Sequence, residues 1–119
     1  MLFRSSSGYS GFRTSGSSTH IREVTVPCER LDQLVPPERK IDFLKIDVEG
    51  AELMVLRGAC KLIERDRPTI VFESARSSLN MYSLKPSDMY CHLVEENGYE
   101  LFTPRGLLEN DQPPECRAI

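Results

Sequence analysis

Three carboxylates and one lysine near the middle of the chain have the types and spacing for acid–base chemistry: Asp47, Glu49, Glu73 and Lys45. A carboxylate can take the proton of a hydroxyl as that hydroxyl reacts, and Asp47 is the first candidate for this catalytic role, with Glu73 next. Lys45 is better suited to hold the carboxylates in register than to react. Structural roles are the alternatives, with Asp47 as an acceptor in a turn and Glu49 as a cap for helix amides. The same carboxylates could bind a hard cation such as Mg²⁺, although nothing in their spacing requires a metal.

A strand, a turn, a helix and a second strand would position these groups. Residues 41–48 form a near-continuous apolar run, which is typical of a strand buried on both faces of a parallel sheet. Apolar residues at helical spacing over 51–63 predict one amphipathic helix, and Pro68 ends it. Residues 69–73 predict the second strand. The whole unit is a βαβ crossover, which is right-handed and makes its two strands parallel.

The two strands of such a crossover end at the same edge of the sheet. Neighbouring parallel strands lie about 4.8 Å apart, so Asp47, Glu49 and Glu73 are expected to share one crevice. Open α/β sheets bind ligands at this edge. Because side chains alternate along a strand, Lys45 and Asp47 point to the same face. A charge inside a buried strand is unfavourable unless it is paired, so we expect Lys45 to pair with Asp47 or Glu73. Glu52 falls in the first helical turn, where the helix dipole favours an anion.

The segments before the crossover have weaker patterns. Residues 1–20 are rich in Ser and Gly and predict a loop or flexible arm. Their Arg and Ser content also resembles that of an organelle transit peptide, but the glycines disfavour the amphipathic helix that such a peptide needs. Residues 21–28 predict a short strand, and residues 31–35 predict a helical turn.

After the crossover, residues 74–85 form a polar connection that leaves from the same edge and could cover the crevice. Its candidate ligand-facing residues are Arg76, Ser77, Asn80 and Tyr82. A helix is predicted from Pro86 to a stop at 97–98, followed by a strand over 99–102. His92 lies within that helix, and a packing histidine with satisfied nitrogens is the favoured interpretation.

Composition excludes several classes of function. The chain has 119 residues with 39% hydrophobic and 28% charged residues, which indicates one globular domain or part of one. No apolar run approaches the roughly 18 residues of a transmembrane helix. Residues 1–22 hold three arginines and no acid, so residues 23–119 carry a net charge of −6 and are poorly suited to nucleic acid. The four cysteines form no C-x-x-C pair, which favours reduced, partly buried thiols and a cytoplasmic location.

Several segments resemble the FkbM family of S-adenosylmethionine-dependent methyltransferases. The likeness extends over about residues 7–102, and its longest run is KIDVEGAE followed by L-x-G-A. The similar segments are SGYSGF, VPCERLDQL, IDFLKIDVEGAELMVLRGA, RPTIVFE and HLVEENGYEL. The resemblance implies an α/β fold with a partial, mostly parallel, Rossmann-like class I methyltransferase sheet.

The resemblance also implies roles for the candidate residues. Asp47 would end the fourth strand of the methyltransferase sheet, beside the methionine part and the reactive methyl of the cofactor, with Val48 and Glu49 also binding the cofactor. Glu73 would end the fifth strand in the neighbouring wall, and Lys45 would hold the pair. The implied reaction is O-methylation of a hydroxyl on a sugar or other small metabolite.

Members of this family bind the cofactor on an N-terminal glycine-rich turn and on an acidic residue that ends the second strand. The sequence shows neither, so we expect a fragment or a degenerate copy that binds the cofactor poorly on its own. The expected organisation is an arm over 1–20, the C-terminal half of a methyltransferase domain over 21–108 and a loose tail over 109–119. The alternative function is a non-catalytic interaction module that associates with itself or a partner through its uncovered sheet edge.

Overall fold

The chain forms two compact units, Met1–Ser83 and Leu84–Ile119. The predicted division into segments 1–20, 21–108 and 109–119 stays a prediction. The computed structural model describes residues 2–6, 9–11, 22–73, 82–110 and 112.

The first part of the chain forms a three-stranded antiparallel sheet. Its strands are β1 (Leu2–Ser6), β2 (Tyr9–Gly11) and β3 (Arg22–Thr25), in the order β2-β1-β3. The prediction of an irregular arm over 1–20 is therefore wrong for β1 and β2. Their composition gives no strand pattern, but pairing with neighbouring strands decides strand formation more than composition does.

The predicted crossover is confirmed as a pair of parallel strands, β4 (Phe43–Ile46) and β5 (Thr69–Phe72). The first residues of the two strands lie side by side, and so do the last. The amide of Thr69 also donates to the carbonyl of Asp42 at 2.9 Å, which extends the pairing before β4. The described residues thus hold one parallel and one antiparallel sheet, so the prediction of a mostly parallel sheet holds only for this pair.

The parallel pair is buried on one face only. Ile46 is 3% exposed, whereas Phe43 is 58% and Val71 47% exposed, and Lys45 is exposed beside them. The prediction of a strand buried on both faces is therefore wrong. An apolar run of this kind has the same sequence pattern whether one face or both faces are covered, and in the structure Phe43 and Val71 remain exposed.

Three helices accompany the strands: α1 (Leu31–Leu34), α2 (Glu52–Arg57) and α3 (Cys60–Asp66). The last two replace the single helix predicted over 51–63, although the predicted apolar positions are buried except Val55, which is half-buried. The buried apolar side chains among the described residues of this unit include Ile46, Ala51, Leu53, Leu56, Ala59, Leu62, Ile63 and Pro68. Periodicity located the buried face correctly but did not show the interruption.

The helix is interrupted at Gly58, where another segment comes close. A Cβ atom on Gly58 would lie 3.7 Å from the Cα of Arg30. The carbonyl of Gly58 accepts the amide of Asp32 at 3.0 Å. The carboxylate of Asp32 in turn accepts the amides of Lys61 and Leu62 at 3.2 and 3.0 Å. Asp32 thus satisfies amides in the first turn of α3 that have no partner within the helix.

At the amino-terminal end of the parallel pair, Asp66 joins α3 to the segment before β4. Its carboxylate accepts two hydrogen bonds from Arg65, both at 2.6 Å, and the amide of Ile41 at 3.0 Å. The hydrogen bonding from Arg65, supported by that from Ile41, lowers the pKa of Asp66 from 3.8 to about 2. This cluster holds the end of the sheet opposite to the candidate site.

The second unit contains a helix that changes from α-helical to π-helical geometry. An α-helical part, α4 (Pro86–Tyr90), continues into a π-helical part, Cys91–Glu96. Gly98 follows with φ of 63°, so the predicted helix and its stop are confirmed in extent. The wider turn of the second half was not predicted, because apolar spacing does not distinguish it over so few residues.

The strand predicted over 99–102 is wrong. These residues have no regular structure, and the amide of Tyr99 donates to the carbonyl of Leu93 at 2.9 Å. A helix, α5 (Pro104–Leu108), follows, and the hydroxyl of Thr103 caps it. A strand needs a neighbour, and the described residues of this unit contain no strand with which 99–102 could pair.

The helices of the described residues are short. The α-helix α3 has 7 residues and the π-helical part has 6. A helix needs about 20 residues to cross a bilayer. Within the described ranges, no helix combines the length and the apolar character required for a membrane span.

Candidate functional site

The structure places Asp47 and Glu73 next to each other at the carboxyl edge of the parallel pair. Each residue directly follows its strand. Because Ile46 and Phe72, the last residues of the two strands, lie side by side, Asp47 and Glu73 come next in the same register. The amide of Glu73 donates to the carbonyl of Ile46 at 3.4 Å, which continues the ladder to this point. Both side chains are exposed. Two solvent-accessible carboxylates therefore end neighbouring strands.

Lys45 forms an ion pair with Asp47. Its Nζ atom lies 3.2 Å from Oδ2 of Asp47, and the two side chains are 66% and 48% exposed. The predicted pairing of Lys45 with a carboxylate is confirmed, but burial does not enforce it, because the pair lies on the open face. An exposed pair stabilises a fold by about 0.2–1 kcal/mol at most. The pair places the ammonium group of Lys45 beside one oxygen of the Asp47 carboxylate.

A tight turn follows Asp47. The amide of Ala51 donates to the carbonyl of Val48 at 3.3 Å. The two central residues, Glu49 and Gly50, have φ of 52° and 97°. Positive φ at both central positions is typical of a type I′ turn. Glycine adopts this conformation readily, whereas at Glu49 the left-handed region costs about 1–2 kcal/mol, so surrounding contacts must hold the turn.

Glu52 provides those contacts. Its side chain is buried, with 2% of the residue exposed. The Oε1 atom accepts the amide of Val48 at 3.2 Å and the amide of Gly50 at 3.0 Å. The sequence predicts the capping of helix amides as the alternative role of Glu49. In the structure Glu52, and not Glu49, accepts backbone amides, and these amides belong to the turn. The sequence signal was a carboxylate two residues after a glycine, close enough to reach back.

The other sequence candidates are Tyr82, which is half-buried, His92, and residues outside the described ranges. Arg76, Ser77 and Asn80 are outside them. His92 belongs to the second unit, is 6% exposed, and has Nδ1 2.8 Å from Oε2 of Glu96. Its Nε2 is buried without a hydrogen-bond partner among the described residues, so the predicted satisfied histidine is right for only one nitrogen.

The described cysteines are free thiols, as the sequence predicts: Cys28, Cys60 and Cys91. Only Cys91 is partly buried. Hydrogen bonding to Glu95, followed by burial, raises the pKa of the Cys91 thiol from 9.0 to about 11. Cys91 is therefore protonated at neutral pH and unsuited to act as a nucleophile.

The metal alternative finds no support in the described ranges. Among residues 22–73 and 82–110, no three His, Cys, Asp or Glu side chains are grouped so that they could hold a metal ion. The two carboxylates that end the strands lie beside Lys45 instead.

Comparison with known proteins identifies the family. The model of the methyltransferase FkbM domain matches residues 1–101, which are most of the 119 residues. The matched part includes both strands of the parallel pair and the turn that Glu52 holds. Neither the curated proteins nor the solved structures contain a significant match to the chain. The chain belongs to the FkbM methyltransferase domain family.

Proposed function

We propose that this chain carries the acceptor side of an S-adenosylmethionine-dependent methyltransferase that methylates a hydroxyl of a sugar or another small metabolite. The observation that carries the proposal is the position of Asp47 and Glu73 as neighbours at the carboxyl edge of a parallel strand pair. That edge is where open α/β sheets bind ligands. Membership of the FkbM family supplies the reaction class. We further propose that the parallel pair is part of a Rossmann-like methyltransferase sheet.

The residues at this edge fit the cofactor by charge. S-adenosylmethionine, when bound, supplies a methyl group on a positively charged sulfur. Asp47 and Glu73 are exposed carboxylates that would favour such a cation. The amides of Val48 and Gly50 already donate to Glu52, so Val48 and Glu49 would contact the cofactor through other groups than these two amides.

The main task of these residues would be to position the acceptor hydroxyl. The acceptor oxygen must lie in line with the methyl carbon. As the oxygen–carbon bond forms and the carbon–sulfur bond breaks, the electron pair of the broken bond stays on sulfur. The hydroxyl proton passes to a carboxylate, for which Asp47 and Glu73 are the two candidates. Lys45 restrains Asp47 so that one oxygen faces the acceptor.

Calorimetric titration with S-adenosylmethionine and a methyl-transfer assay with hydroxyl acceptors test this function. We expect Asp47→Asn and Glu73→Gln to lower kcat, with about a 100-fold loss for the residue that takes the proton. Asp42→Asn is a matched control, because Asp42 also forms an exposed ion pair with a lysine, Lys40, at the other end of β4. Full turnover in both site variants would exclude this role for the carboxylates.

A non-catalytic interaction module is the second candidate function. The open face of the parallel pair favours it, since Phe43 and Val71 expose apolar surface there. Apolar surface of this kind can bind a partner or a second copy. Sedimentation analysis separates the two functions: self-association without S-adenosylmethionine binding would favour the module, and cofactor binding by a monomer would favour the enzyme.

A further inference from the structure

We infer that Glu52 is a positioning residue of the candidate site: it fixes the turn that follows Asp47 and thereby the direction of the Asp47 carboxylate. This inference rests on the proposed function for its consequence in catalysis. The part of the inference that concerns structure, that Glu52 holds the turn, depends only on the contacts of Glu52. Sequence reasoning gave Glu52 no part in the site.

The burial of Glu52 explains why its contacts are strong. A carboxylate that is 2% exposed must be compensated by hydrogen bonds, because an uncompensated buried charge is very unfavourable. The amides of Val48 and Gly50 provide this compensation through a single oxygen. Hydrogen bonds to an ionised acceptor are about twice as strong as neutral ones. Movement of the turn would break both of these hydrogen bonds together.

The two amides belong to the peptide groups that matter for the site. The Val48 amide is part of the planar peptide that also contains the carbonyl of Asp47, so a bond to it restrains ψ of Asp47. The Gly50 amide likewise restrains ψ of Glu49. With the Cα of Asp47 anchored at the strand end, fixing the next peptide plane fixes the direction from which its side chain leaves.

The backbone of the turn needs this support. Glu49 has a positive φ, which is unfavourable for a residue with a side chain. The bond that closes the turn, from Ala51 to Val48, is long at 3.3 Å. Without the Glu52 carboxylate, the amides of Val48 and Gly50 would lose their acceptor, at about 1–3 kcal/mol for each donor left buried. The turn would then relax to a different conformation.

Glu52 acts through the backbone and not by contact with substrate. It is buried, whereas Asp47 is exposed at the edge. Its removal is therefore expected to change kcat more than the KM for the acceptor. A displacement of about 1 Å at a reacting group can cost about 100-fold in rate.

The test compares Glu52→Gln with Glu52→Met. Glutamine keeps an oxygen that can accept both amides, so we expect kcat within about tenfold of the parent chain and slow amide exchange at Val48 and Gly50. Methionine has a similar volume but no such acceptor. We expect at least about tenfold faster exchange at these amides and about a 100-fold loss of kcat, with little change in KM. Should Glu52→Met not fold, Glu52→Asp tests the same point, because its shorter side chain cannot reach both amides.

Asp32→Ala is the matched control. Asp32 also accepts two backbone amides, those of Lys61 and Leu62, but at the start of α3. We expect this variant to lose stability with unchanged kcat, which separates positioning from loss of stability. Unchanged exchange at Val48 and Gly50 in Glu52→Met, or unchanged kcat despite faster exchange, would overturn the inference. If the parent chain transfers no methyl group, the proposed function fails, and amide exchange alone decides whether Glu52 holds the turn.

Discussion

The carboxylate of Asp32 accepts the backbone amide of Leu62 at 3.0 Å, although the two residues are 30 positions apart. Through this contact the short helix α1 caps α3, the second helix of the crossover. The interruption at Gly58 makes the contact possible, since a continuous helix would have no free amides there. The helical layer behind the candidate site is thus joined to the segment that precedes β4.

Loss of this cap should weaken the fold. We expect Asp32→Ala to lower the free energy of unfolding by about 1 kcal/mol, in the range found for helix caps. Asp32→Asn keeps one acceptor oxygen and should lose less. Urea denaturation followed by circular dichroism measures both variants. Equal stability of Asp32→Ala and the parent chain would show that water replaces the carboxylate at no cost.

The ion pair of Asp66 predicts how stability depends on pH. Because the pKa of Asp66 falls from 3.8 to about 2 on folding, its contribution is fully present above pH 4. It is lost as the pH falls from about 4 to 2, where the folded protein must also take up the proton. We expect Asp66→Asn to lower the urea midpoint at pH 6 and to differ less from the parent chain at pH 2.5.

Urea titrations at a series of pH values check this prediction. Asp42→Asn is a suitable control, because Asp42 lies nearby but its side chain is 76% exposed, against 5% for Asp66. A constant difference between Asp66→Asn and the parent chain from pH 6 to 2.5 would contradict the proposed linkage.

Truncation of a side chain in the helical layer should lower the free energy of unfolding much more than truncation on the open face of the parallel pair. Leu56, in the helical layer, is 0% exposed, and Leu56→Ala is expected to cost about 2–5 kcal/mol. Phe43 is 58% exposed, and Phe43→Ala should change stability by less than about 0.5 kcal/mol. Equilibrium denaturation at two protein concentrations measures both. A large loss for Phe43→Ala that depends on concentration would mean that a second copy covers this face.

Local patterns predicted the crossover well. The apolar period and Pro68 located both strands and the buried helical positions, because these depend on nearby residues. Side-chain alternation predicted the pairing of Lys45. The same patterns cannot show whether a second layer covers the sheet, which is why Phe43 was wrongly expected to be buried. The strand predicted over 99–102 failed for a similar reason, since it needed a partner.

The role of Glu52 was harder to predict, because its partners are backbone amides. Those amides converge on one oxygen only when Glu49 and Gly50 adopt positive φ. The glycine at position 50 suggests a positive φ there, but no sequence pattern requires a positive φ at Glu49. The break at Gly58 likewise depends on Asp32, which is distant in sequence. Contacts of this kind appear only when the chain is folded.

The pair of Lys45 and Asp47 gives a last prediction, which rests on the proposed function. Both side chains are exposed, so Lys45→Met should leave stability nearly unchanged. If the pair orients Asp47, its contribution of about 0.2–1 kcal/mol corresponds to a loss of up to about fivefold in kcat. The loss should be smaller in high salt, because salt already weakens the pair in the parent chain.

Lys40→Met is the control for this measurement. Lys40 forms a similarly exposed pair with Asp42, at 2.7 Å, but at the opposite end of β4. We expect full kcat in this variant at every salt concentration. Equal rates for the Lys45 and Lys40 variants would show that Asp47 needs no partner to point at the acceptor, and that the turn held by Glu52 is sufficient to orient it.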